Sequence, residues 1–528
     1  MSFILKDSFH TSIVESVYNE IVSRRSNYFY FIGKIMPWSD ESTPPDPLST
    51  FSYEKDTRNK ILTVKKIQST DVSYVVPRIN WSAGVVYDMF DGDYSSSYIS
   101  VSQSTSLKAS RFYVLTDNFN VYKCLFNYNG AVSLTKPTGT EVTPITTADG
   151  YVWKFLYTIP LSLRNRFLTN DWMPVQKSVY NTFYSNGEIN LVVLDNVGNG
   201  YYTNNTSISL IGDGSGANLV PFVNASGEVE DIVIVNGGEG YTYADITIVG
   251  SGQNANAFAY LSTGDLDTNQ STVELSALNG GIHAFRVLNS GNSYTSANVS
   301  IVGDGSGFLG SVVISNTNTI SHITVTNAGI GYTYANVVIT GNGSNANVVA
   351  IISPQGGHGS NAVKELFSDT LMFYSTINNE KIHNIDVNND YRQFGIIKDI
   401  KQFNNNKSFA NVTGTSCYLI NANTTVSSLS NQLESDTILT LVDDSTRIFE
   451  VVEVSANNRI LITNLNNYSL SAGNVLYDSN TDSAYTIESI DYYPSINKFT
   501  GDMLFIDNRT TVSYSDQQLV TLRTVIKL

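Results

Sequence analysis

Cysteine, charge and long apolar runs are all scarce in this sequence, and each shortage excludes a class of protein. Cys124 and Cys417 are its only cysteines, too few for a disulfide framework or a four-thiolate metal site. Charged residues make up 15% of the 528 residues, against about 25% in ordinary soluble domains. The formal net charge is −16 and no clustered Lys/Arg stripe is visible, so we expect no nucleic-acid partner.

The shortage of apolar runs bears on membranes and secretion. No stretch approaches the roughly 18 consecutive apolar residues that a membrane-spanning helix needs. The first residues also lack the basic segment and apolar run of a signal peptide. We therefore expect a chain that is neither inserted into a membrane nor secreted, and that matures in a reducing cytoplasm.

The abundant residues favour β-structure. The sequence has 32 Tyr and 37 Gly; aromatic residues suit pleated strands and glycine suits turns. One helix is predicted near the N-terminus, where Ile13, Val17 and Ile21 recur at helical spacing and Arg24 and Arg25 fall in the last turn. A chain of this length divides into several domains, so we predict a mainly β, multi-domain protein.

An internal repeat between residues 187 and 354 is the most informative pattern. Four copies carry a Gly-x-(Gly/Ser)-Tyr turn, at residues 198–201, 238–241, 291–294 and 329–332. Each copy continues to a second glycine-rich turn, at residues 212–216, 250–252, 303–307 and 341–343. Turns and strands that recur at a period of about 40 residues predict repeated β-modules. We expect copies one and two to form one pair, and copies three and four another.

Changes of composition divide the chain into a body and two insertions. We predict an antiparallel β-sandwich-like body with an N-terminal helix, built from residues 1–186, 355–403 and 496–528. The first insertion, residues 187–354, holds the repeats. The second, residues 404–495, alternates short strands with Asn/Ser/Asp turns, as a small barrel or sandwich needs.

Two acidic turns resemble ligand loops but lack what those loops need. The Gly-Asp-Gly-Ser-Gly turn at residues 212–216 leads into a strand rather than a helix, so we interpret it as a tight β-turn and not as a phosphate loop. One such turn per repeat also fails to stack the ligands of a calcium-binding nonapeptide. Asp88, Asp91 and Asp93 begin like a calcium loop, but its twelfth position is Ile99, which offers no oxygen. We interpret that segment as a polar turn.

No residue is assigned a catalytic, metal-binding or cofactor-binding role. The histidines lack metal-binding spacing, and we expect each to be exposed and solitary: His10, His283, His322, His358 and His383. A serine elbow is missing, and paired glycosidase carboxylates, whose spacing is spatial, stay open without positive support. Abundant tyrosine beside scarce charge favours a chain that is covered by partners, although core packing explains any single tyrosine equally well.

Five short blocks outside the insertions match one known family, in the same order. They are Pro-Trp-Ser at residues 37–39, Val-Pro-Arg at 76–78 followed by Trp81, the segment 149–160, Tyr-Arg-Gln-Phe at 391–394, and the segment 501–509. We call them the wedge-like blocks, because they resemble the baseplate wedge proteins encoded by gene eight in T4-like bacteriophages. Asp-Gly-Tyr-Val-Trp, which begins the third block, is the most specific. Shorter members of that family lack the two insertions.

The resemblance implies a mostly β, multi-domain subunit that forms a homodimer. Such a subunit is built into each wedge of a contractile tail baseplate, beside the other wedge proteins. It is found in the virion after assembly in the host cytoplasm. The family has no enzymatic residues to carry over, so the resemblance implies a structural protein that acts by assembly and by conformational switching during tail contraction.

The wedge-like blocks also supply the candidate structural residues: Trp38, Arg78, Trp81, Tyr151, Trp153, Arg392 and Arg509. We expect the apolar members to pack the domain junctions, and the arginines to form fork-shaped pairs with carboxylates there.

Two other functions stay open. Turn-rich β-modules that display tyrosine are also typical of a receptor-binding or adhesive tail component. A polysaccharide-depolymerising enzyme is a third hypothesis, for which no residue gives positive support.

Overall fold

Strands joined by antiparallel pairing dominate the computed structural model of this chain. It describes residues 7–22, 26–177, 187–224, 226–261, 268–377, 391–403, 405, 407–411, 413–423, 433–455, 459–466, 468–512 and 520–528. The prediction of a mainly β, multi-domain chain with an N-terminal helix is confirmed. Arg24 and Arg25, predicted in the last turn of that helix, lie outside the described residues.

The body begins with the elements that precede the first insertion. They are α1 (Asp7–Val22), β1 (Tyr28–Gly33), α2 (Phe51–Lys60), β2 (Ile61–Lys66), β3 (Val72–Pro77), β4 (Tyr113–Leu115), β5 (Asn120–Phe126), β6 (Ile145–Thr146), β7 (Val152–Thr158), α3 (Leu161–Phe167) and β8 (Trp172–Val175).

The first insertion folds into two modules joined by a helix. Module one comprises β9 (Ile189–Asn199), β10 (Ser207–Gly212), β11 (Ser215–Val223), β12 (Val229–Glu239), β13 (Ala244–Val249) and β14 (Gln253–Leu261). Helix α4 (Thr268–Leu275) follows. Module two comprises β15 (Ile282–Asn292), β16 (Ala297–Gly303), β17 (Ser306–Ile314), β18 (Ile320–Ile330), β19 (Ala335–Gly341) and β20 (Ser344–Ile352).

The chain then returns to the body, enters a barrel and returns again. The returning elements are α5 (Ala362–Glu365), β21 (Thr370–Ile377), β22 (Tyr391–Lys398), β23 (Lys401–Gln402) and β24 (Thr413–Thr415). The barrel strands are β25 (Cys417–Asn423), β26 (Ile438–Leu441), β27 (Asp444–Val454), β28 (Arg459–Asn464), β29 (Val475–Asp478) and β30 (Ser483–Tyr492). The last strands are β31 (Ile496–Asn497), β32 (Asp502–Val512) and β33 (Val520–Lys527).

Strands from before and after the insertions share the sheets of the body. One sheet has the order β24-β2-β1-β22-β32 and a second has the order β33-β21-β3-β8. A third, β4-β5-β7-β6, comes wholly from the first part of the chain. Strand β1 is buried along its whole length, which explains why its sequence, Tyr-Phe-Tyr-Phe-Ile-Gly, is a continuous apolar run rather than an alternating one.

The two modules have one design. Module one combines a sheet of order β10-β13-β14-β9 with the hairpin β11-β12, and module two combines the order β15-β20-β19-β16 with the hairpin β17-β18. Because β9 pairs with β14 and β15 pairs with β20, copies one and two of the repeat interlock, as do copies three and four. The predicted pairing of the copies is confirmed.

The repeat tyrosines explain the second glycine-rich turn of each copy. A Cβ at Gly252 would collide with the ring of Tyr201, and a Cβ at Gly214 would collide with the ring of Tyr241. Each tyrosine therefore packs on the glycine turn of the other copy in its module. Module two repeats this arrangement, with Tyr294 on Gly343 and Tyr332 on Gly305.

The second insertion contains a closed six-stranded barrel of order β25-β28-β27-β26-β29-β30. Its interior is filled by apolar side chains that include Tyr418, Phe449 and Tyr485. Barrel residues such as Leu419 also share a second apolar cluster with Ile35 of the body, so the barrel is packed against the body sheet.

Candidate functional site

The candidate residues of the wedge-like blocks lie at three places in the body rather than in one site. Trp81, Tyr151 and Trp153 belong to one apolar cluster. Trp38 and Arg392 both donate to the carboxylate of Glu41, and the Trp38 indole donates to the carbonyl of Arg509. Arg78 lies apart from both groups.

The third wedge-like block begins with a turn that Asp149 organises. Its carboxylate accepts hydrogen bonds from the Leu134 and Thr135 backbone N–H groups, at 2.7 and 2.8 Å, and from the Thr147 hydroxyl at 2.5 Å. Burial raises the pKa of Asp149, but these hydrogen bonds outweigh it and hold the pKa below its ordinary value. The next residue, Gly150, has a φ of 85°, which favours glycine. The turn thereby sets the start of β7.

Two aromatic rings at the start of β7 stack on each other in the interior. Tyr151 directly precedes the strand, and Trp153 is its second residue. Their ring centroids are 5.5 Å apart with planes inclined by 14°, and Tyr87 meets Trp153 edge-on at 5.7 Å. The Tyr151 hydroxyl donates to the Ala131 carbonyl. Trp81 packs against the same cluster from its half-buried position.

This cluster joins the body to module two. It includes Val273 of α4, Ala284 of β15 and Ile351 of β20. Tyr151 and Trp153 therefore lie in a cluster to which both the body and module two contribute.

Charged groups connect the same two parts. Arg286 of β15 donates to Asp91 and Asp93 at 2.8 Å each, and its guanidinium lies over the ring of Tyr98 at 4.2 Å. The polar turn predicted around Asp91 therefore receives an arginine of module two. Sequence reasoning missed this pair, because 195 residues separate Asp91 from Arg286 and no local pattern links them.

A fully buried ion pair lies beside that junction. Lys123 of β5 donates to the carboxylate of Glu365 in α5, and both side chains are almost completely buried. Glu365 also accepts the backbone N–H groups of Gly359 and Asn361, at 2.8 and 3.1 Å. Burial lowers the pKa of Lys123, while Glu365 favours its charged form. Such a pair depends on both partners, since removing one leaves an uncompensated charge in the interior.

The prediction of exposed, solitary histidines is wrong for His283 and His358. Their rings are in contact, with centroids 5.1 Å apart, and His358 is buried. Burial foremost, together with the nearby positive charges of Lys154 and Lys123, lowers the pKa of His283 to about 4. The two rings meet because β15 packs against the loop before α5. This contact joins residues far apart in sequence, so the spacing of the histidines could not predict it.

The remaining histidines differ from one another. His322 is half-buried and packs on Phe126 and Tyr128, at 5.5 Å from each ring. His10 is partly exposed on α1. His383 lies outside the described residues.

Glu41 collects the second group of candidate residues. Its carboxylate accepts from the Trp38 backbone N–H at 2.6 Å, from the Arg392 Nε at 2.7 Å and from the Thr511 hydroxyl. These donors, the hydroxyl of Thr511 foremost, lower the pKa of Glu41 to about 2. The Trp38 indole N–H donates to the carbonyl of Arg509 at 2.9 Å. Three wedge-like blocks, far apart in sequence, thus meet at the end of β32.

The arginines form only some of the fork-shaped pairs with carboxylates that we expected. Arg392 contacts Glu41 through Nε, while another guanidinium N–H donates to the Ile35 carbonyl. Arg509 pairs with its neighbour Asp507 at 2.6 Å. The expectation is wrong for Arg78, whose side chain donates to the amide oxygen of Asn80 and to the carbonyl of Thr169. It joins β3 to the segment before β8 through neutral oxygens.

The aspartates of the glycine-rich turns form hydrogen bonds inside the modules. Asp304 accepts the Thr333 backbone N–H at 2.8 Å and the Thr333 hydroxyl at 2.5 Å. Asp213 makes the corresponding contacts with Thr242 in module one. Both aspartates therefore brace a β-turn of the neighbouring copy, as the tight-turn interpretation requires.

Comparisons add no relative to these observations: no protein-family model matches the chain, and no curated protein matches it. Within the described residues, no helix is long and apolar enough to cross a membrane. In the same part of the chain, three or more His, Cys, Asp or Glu side chains are nowhere grouped so that they could hold a metal ion.

Proposed function

We propose that this chain is a structural subunit of a contractile phage tail baseplate, placed in the wedges that surround the tail hub. It acts by assembly with itself as a homodimer and with other wedge proteins, and not by catalysis. It works in the virion and is assembled in the host cytoplasm.

The observation that carries the proposal is that residues of the wedge-like blocks connect different parts of the molecule. Tyr151 and Trp153 share a buried apolar cluster with residues of module two. Glu41 holds Trp38 and Arg392, and Trp38 in turn binds the backbone of Arg509, so three distant segments are tied together. These residues hold parts of the molecule in position. Their contacts suit a chain whose task is to present fixed surfaces to neighbours.

The junction between body and module two supports a role in switching. It combines an apolar cluster with the Arg286 pair to Asp91 and Asp93 and with the buried pair of Lys123 and Glu365. Packed interfaces of this kind change between discrete arrangements rather than deforming continuously. During contraction the body and module two would shift relative to each other at this junction.

The solution mass of the full-length chain tests the assembly that the proposal requires. Light scattering on a sizing column should give a dimer of about twice the 57.9 kDa chain. A stable trimer would contradict the wedge proposal and favour a fibre or spike.

A receptor-binding role is the second candidate, and one observation favours it. Tyr202, Tyr243 and Tyr334 of the modules are more than half exposed, and exposed tyrosine is favoured at recognition surfaces. The four repeat tyrosines are buried instead, so these three outer ones are the candidates for such contacts. Binding of the full chain to host cells, lost when the three are changed to serine, would support this role; unchanged binding, or none by the wild type, would exclude it.

A further inference from the structure

A pocket lies where the body meets the hairpin β17-β18 of module two. It has a volume of about 440 Å³ and is lined on one side by residues at β6, among them Thr143 and Thr146, and on the other side by residues 322–328 of β18. We call it the junction pocket. A volume of about 300–1,000 Å³ and a place between two parts of a molecule are common for small-molecule sites.

Aromatic rings form one wall of the junction pocket. Phe126, Tyr128 and His322 all line it, and the His322 ring centroid lies 5.5 Å from each of the other two. A Cβ at Gly150 would collide with the ring of Tyr128, so this ring packs directly on the turn before β7. The pocket therefore offers flat apolar surface, made of rings that contact one another.

The turn that carries Tyr128 has a strained backbone. Tyr128 and Asn129 have φ angles of 48° and 59°, and a positive φ at a residue as bulky as tyrosine is rare. The side-chain amide of Asn129 donates to the Ser321 carbonyl of β18 at 3.1 Å, which ties the turn to module two. Because backbone strain of this kind is concentrated at functional sites, the position of the Tyr128 ring in the pocket wall favours a binding function.

Four threonine hydroxyls supply much of the polar lining. Thr143 and Thr146 come from the body, and Thr324 and Thr326 come from β18 of module two. All four residues are exposed, and within the described part of the chain none of their hydroxyls has a hydrogen-bond partner. Each hydroxyl can both donate and accept a hydrogen bond, so the pocket presents donors and acceptors from two sides.

No charged side chain lines the junction pocket. Among the described residues around it, none is Asp, Glu, Lys or Arg. Burial lowers the pKa of His322, and burial together with nearby lysines lowers the pKa of His283, which also lines the pocket, to about 4. Both rings are therefore neutral at neutral pH. An uncharged ligand suits this lining, because a charge that is taken out of water needs a partner.

The two modules show that their common design does not require the threonines of β18. Thr324 and Thr326 occupy the positions that Val233 and Val235 have in module one, counted from the glycine turn that follows each pair. The strand pairing agrees, because Thr326 and Val235 are each skipped where the register of their hairpin shifts. The valines are 48% and 61% exposed, so module one does not bury these positions either. Module two thus has hydroxyls where its hairpin lines the junction pocket.

We propose that the junction pocket binds one pyranose ring of a neutral saccharide. The C–H face of a pyranose packs on aromatic rings, and its hydroxyls exchange hydrogen bonds with neutral hydroxyl groups. A purely apolar ligand would instead cover the threonine hydroxyls without giving them partners. This site goes beyond the proposed wedge role, and it uses none of the outer tyrosines considered above for receptor binding.

Binding of simple sugars to the full-length chain tests the inference. Saturation-transfer NMR identifies which of glucose, galactose, mannose and N-acetylglucosamine contacts the protein, and titration calorimetry gives the dissociation constant. At least one of these sugars should bind the wild type with a dissociation constant below about 10 mM.

A double variant removes the hydroxyls of module two. Thr324→Val with Thr326→Val keeps the branched shape of both side chains and copies the residues of module one. Loss of two neutral hydrogen bonds should raise the dissociation constant by about tenfold. The matched control is Thr247→Val with Thr340→Val, because these threonines are exposed on β13 and β19 and do not line the pocket. The control should bind like the wild type, and unchanged unfolding midpoints verify the fold of both proteins.

A second variant, Tyr128→Gly, tests the aromatic wall. Glycine adopts the positive φ of this position without strain, so the change removes the ring and retains the turn. It should also weaken sugar binding by about tenfold. The inference is overturned if none of the sugars binds the wild type below about 10 mM, or if either pocket variant binds as tightly as the control. Neither result bears on the proposed homodimer, which the solution mass tests separately.

Discussion

Replacing Trp153 by alanine is the sharpest test of the junction between body and module two. The side chain is completely buried, stacks on Tyr151 and meets Tyr87 edge-on. Truncating a buried aromatic side chain of this size costs about 3–5 kcal/mol of folding free energy. Loss of two aromatic contacts places the expected value in the upper half of that range.

Two further variants show whether the loss comes from packing. Trp153→Phe keeps a ring and removes an indole N–H that has no acceptor among the described residues, so it should cost less than the alanine change. Phe51→Ala changes an aromatic residue that is almost fully exposed and should alter stability by no more than about 0.5 kcal/mol.

Urea unfolding, followed by tryptophan fluorescence and by circular dichroism, measures these differences. A chain with several parts need not unfold in one step, so the transition that involves module two is the one to compare. The reasoning is refuted if Trp153→Ala unfolds within about 1 kcal/mol of the wild type, because a completely buried ring at a packed junction cannot be so dispensable.

Three more changes test the interior. Glu365→Gln leaves the ammonium of Lys123 buried without its carboxylate and should cost about 3–5 kcal/mol in urea unfolding; a loss below about 1 kcal/mol would contradict the buried pair. Burial lowers the pKa of Lys498 to about 8, so the unfolded chain binds this proton more tightly and the thermal midpoint should rise with pH between about 8 and 10. Lys498→Met should flatten that rise, and an unchanged slope would contradict it. Gly305→Ala places a Cβ against a buried tyrosine ring and should cost about 1–3 kcal/mol, whereas Gly92→Ala, which meets no atom within 4 Å, should have little effect on the same urea midpoint.

The repeats were predictable because their signals are local. Glycine turns and alternating strands recur along the modules. Tyr201 and Gly252 show why tyrosine and glycine recur together: the ring of one copy packs on a turn of the other copy, where a Cβ would collide with it. The barrel was predictable only as a barrel or a sandwich, because closure of a sheet depends on pairing between strands far apart in sequence.

The short helices escaped prediction for a physical reason. α3 and α5 have seven and four residues, too few for an apolar stripe to repeat. α2 has ten residues, but Thr57 is its only buried residue. Its sequence therefore lacks the apolar periodicity from which a helix is predicted. Packing and caps, such as the Asn361 side chain on the Lys364 N–H, hold these helices in place.

The wedge-like blocks supplied the candidate residues, but the partners of these residues could not be predicted from the sequence. Tyr151 and Trp153 are two residues apart in an extended segment, so their proximity follows from the sequence, and their rings stack. The contacts that join Trp38 to Arg509, and Arg392 to Glu41, depend instead on how the chain returns to the body after its insertions. The contact of His283 with His358 arises in the same way.

Locating the chain in a particle tests the central claim most directly. Purified tailed particles from the source of this sequence would be labelled with an antibody against the full-length chain and viewed by electron microscopy. The account predicts label around the hub at the baseplate end of a contractile tail. Label confined to fibre tips, or particles without label although the antibody binds the free chain, would contradict it.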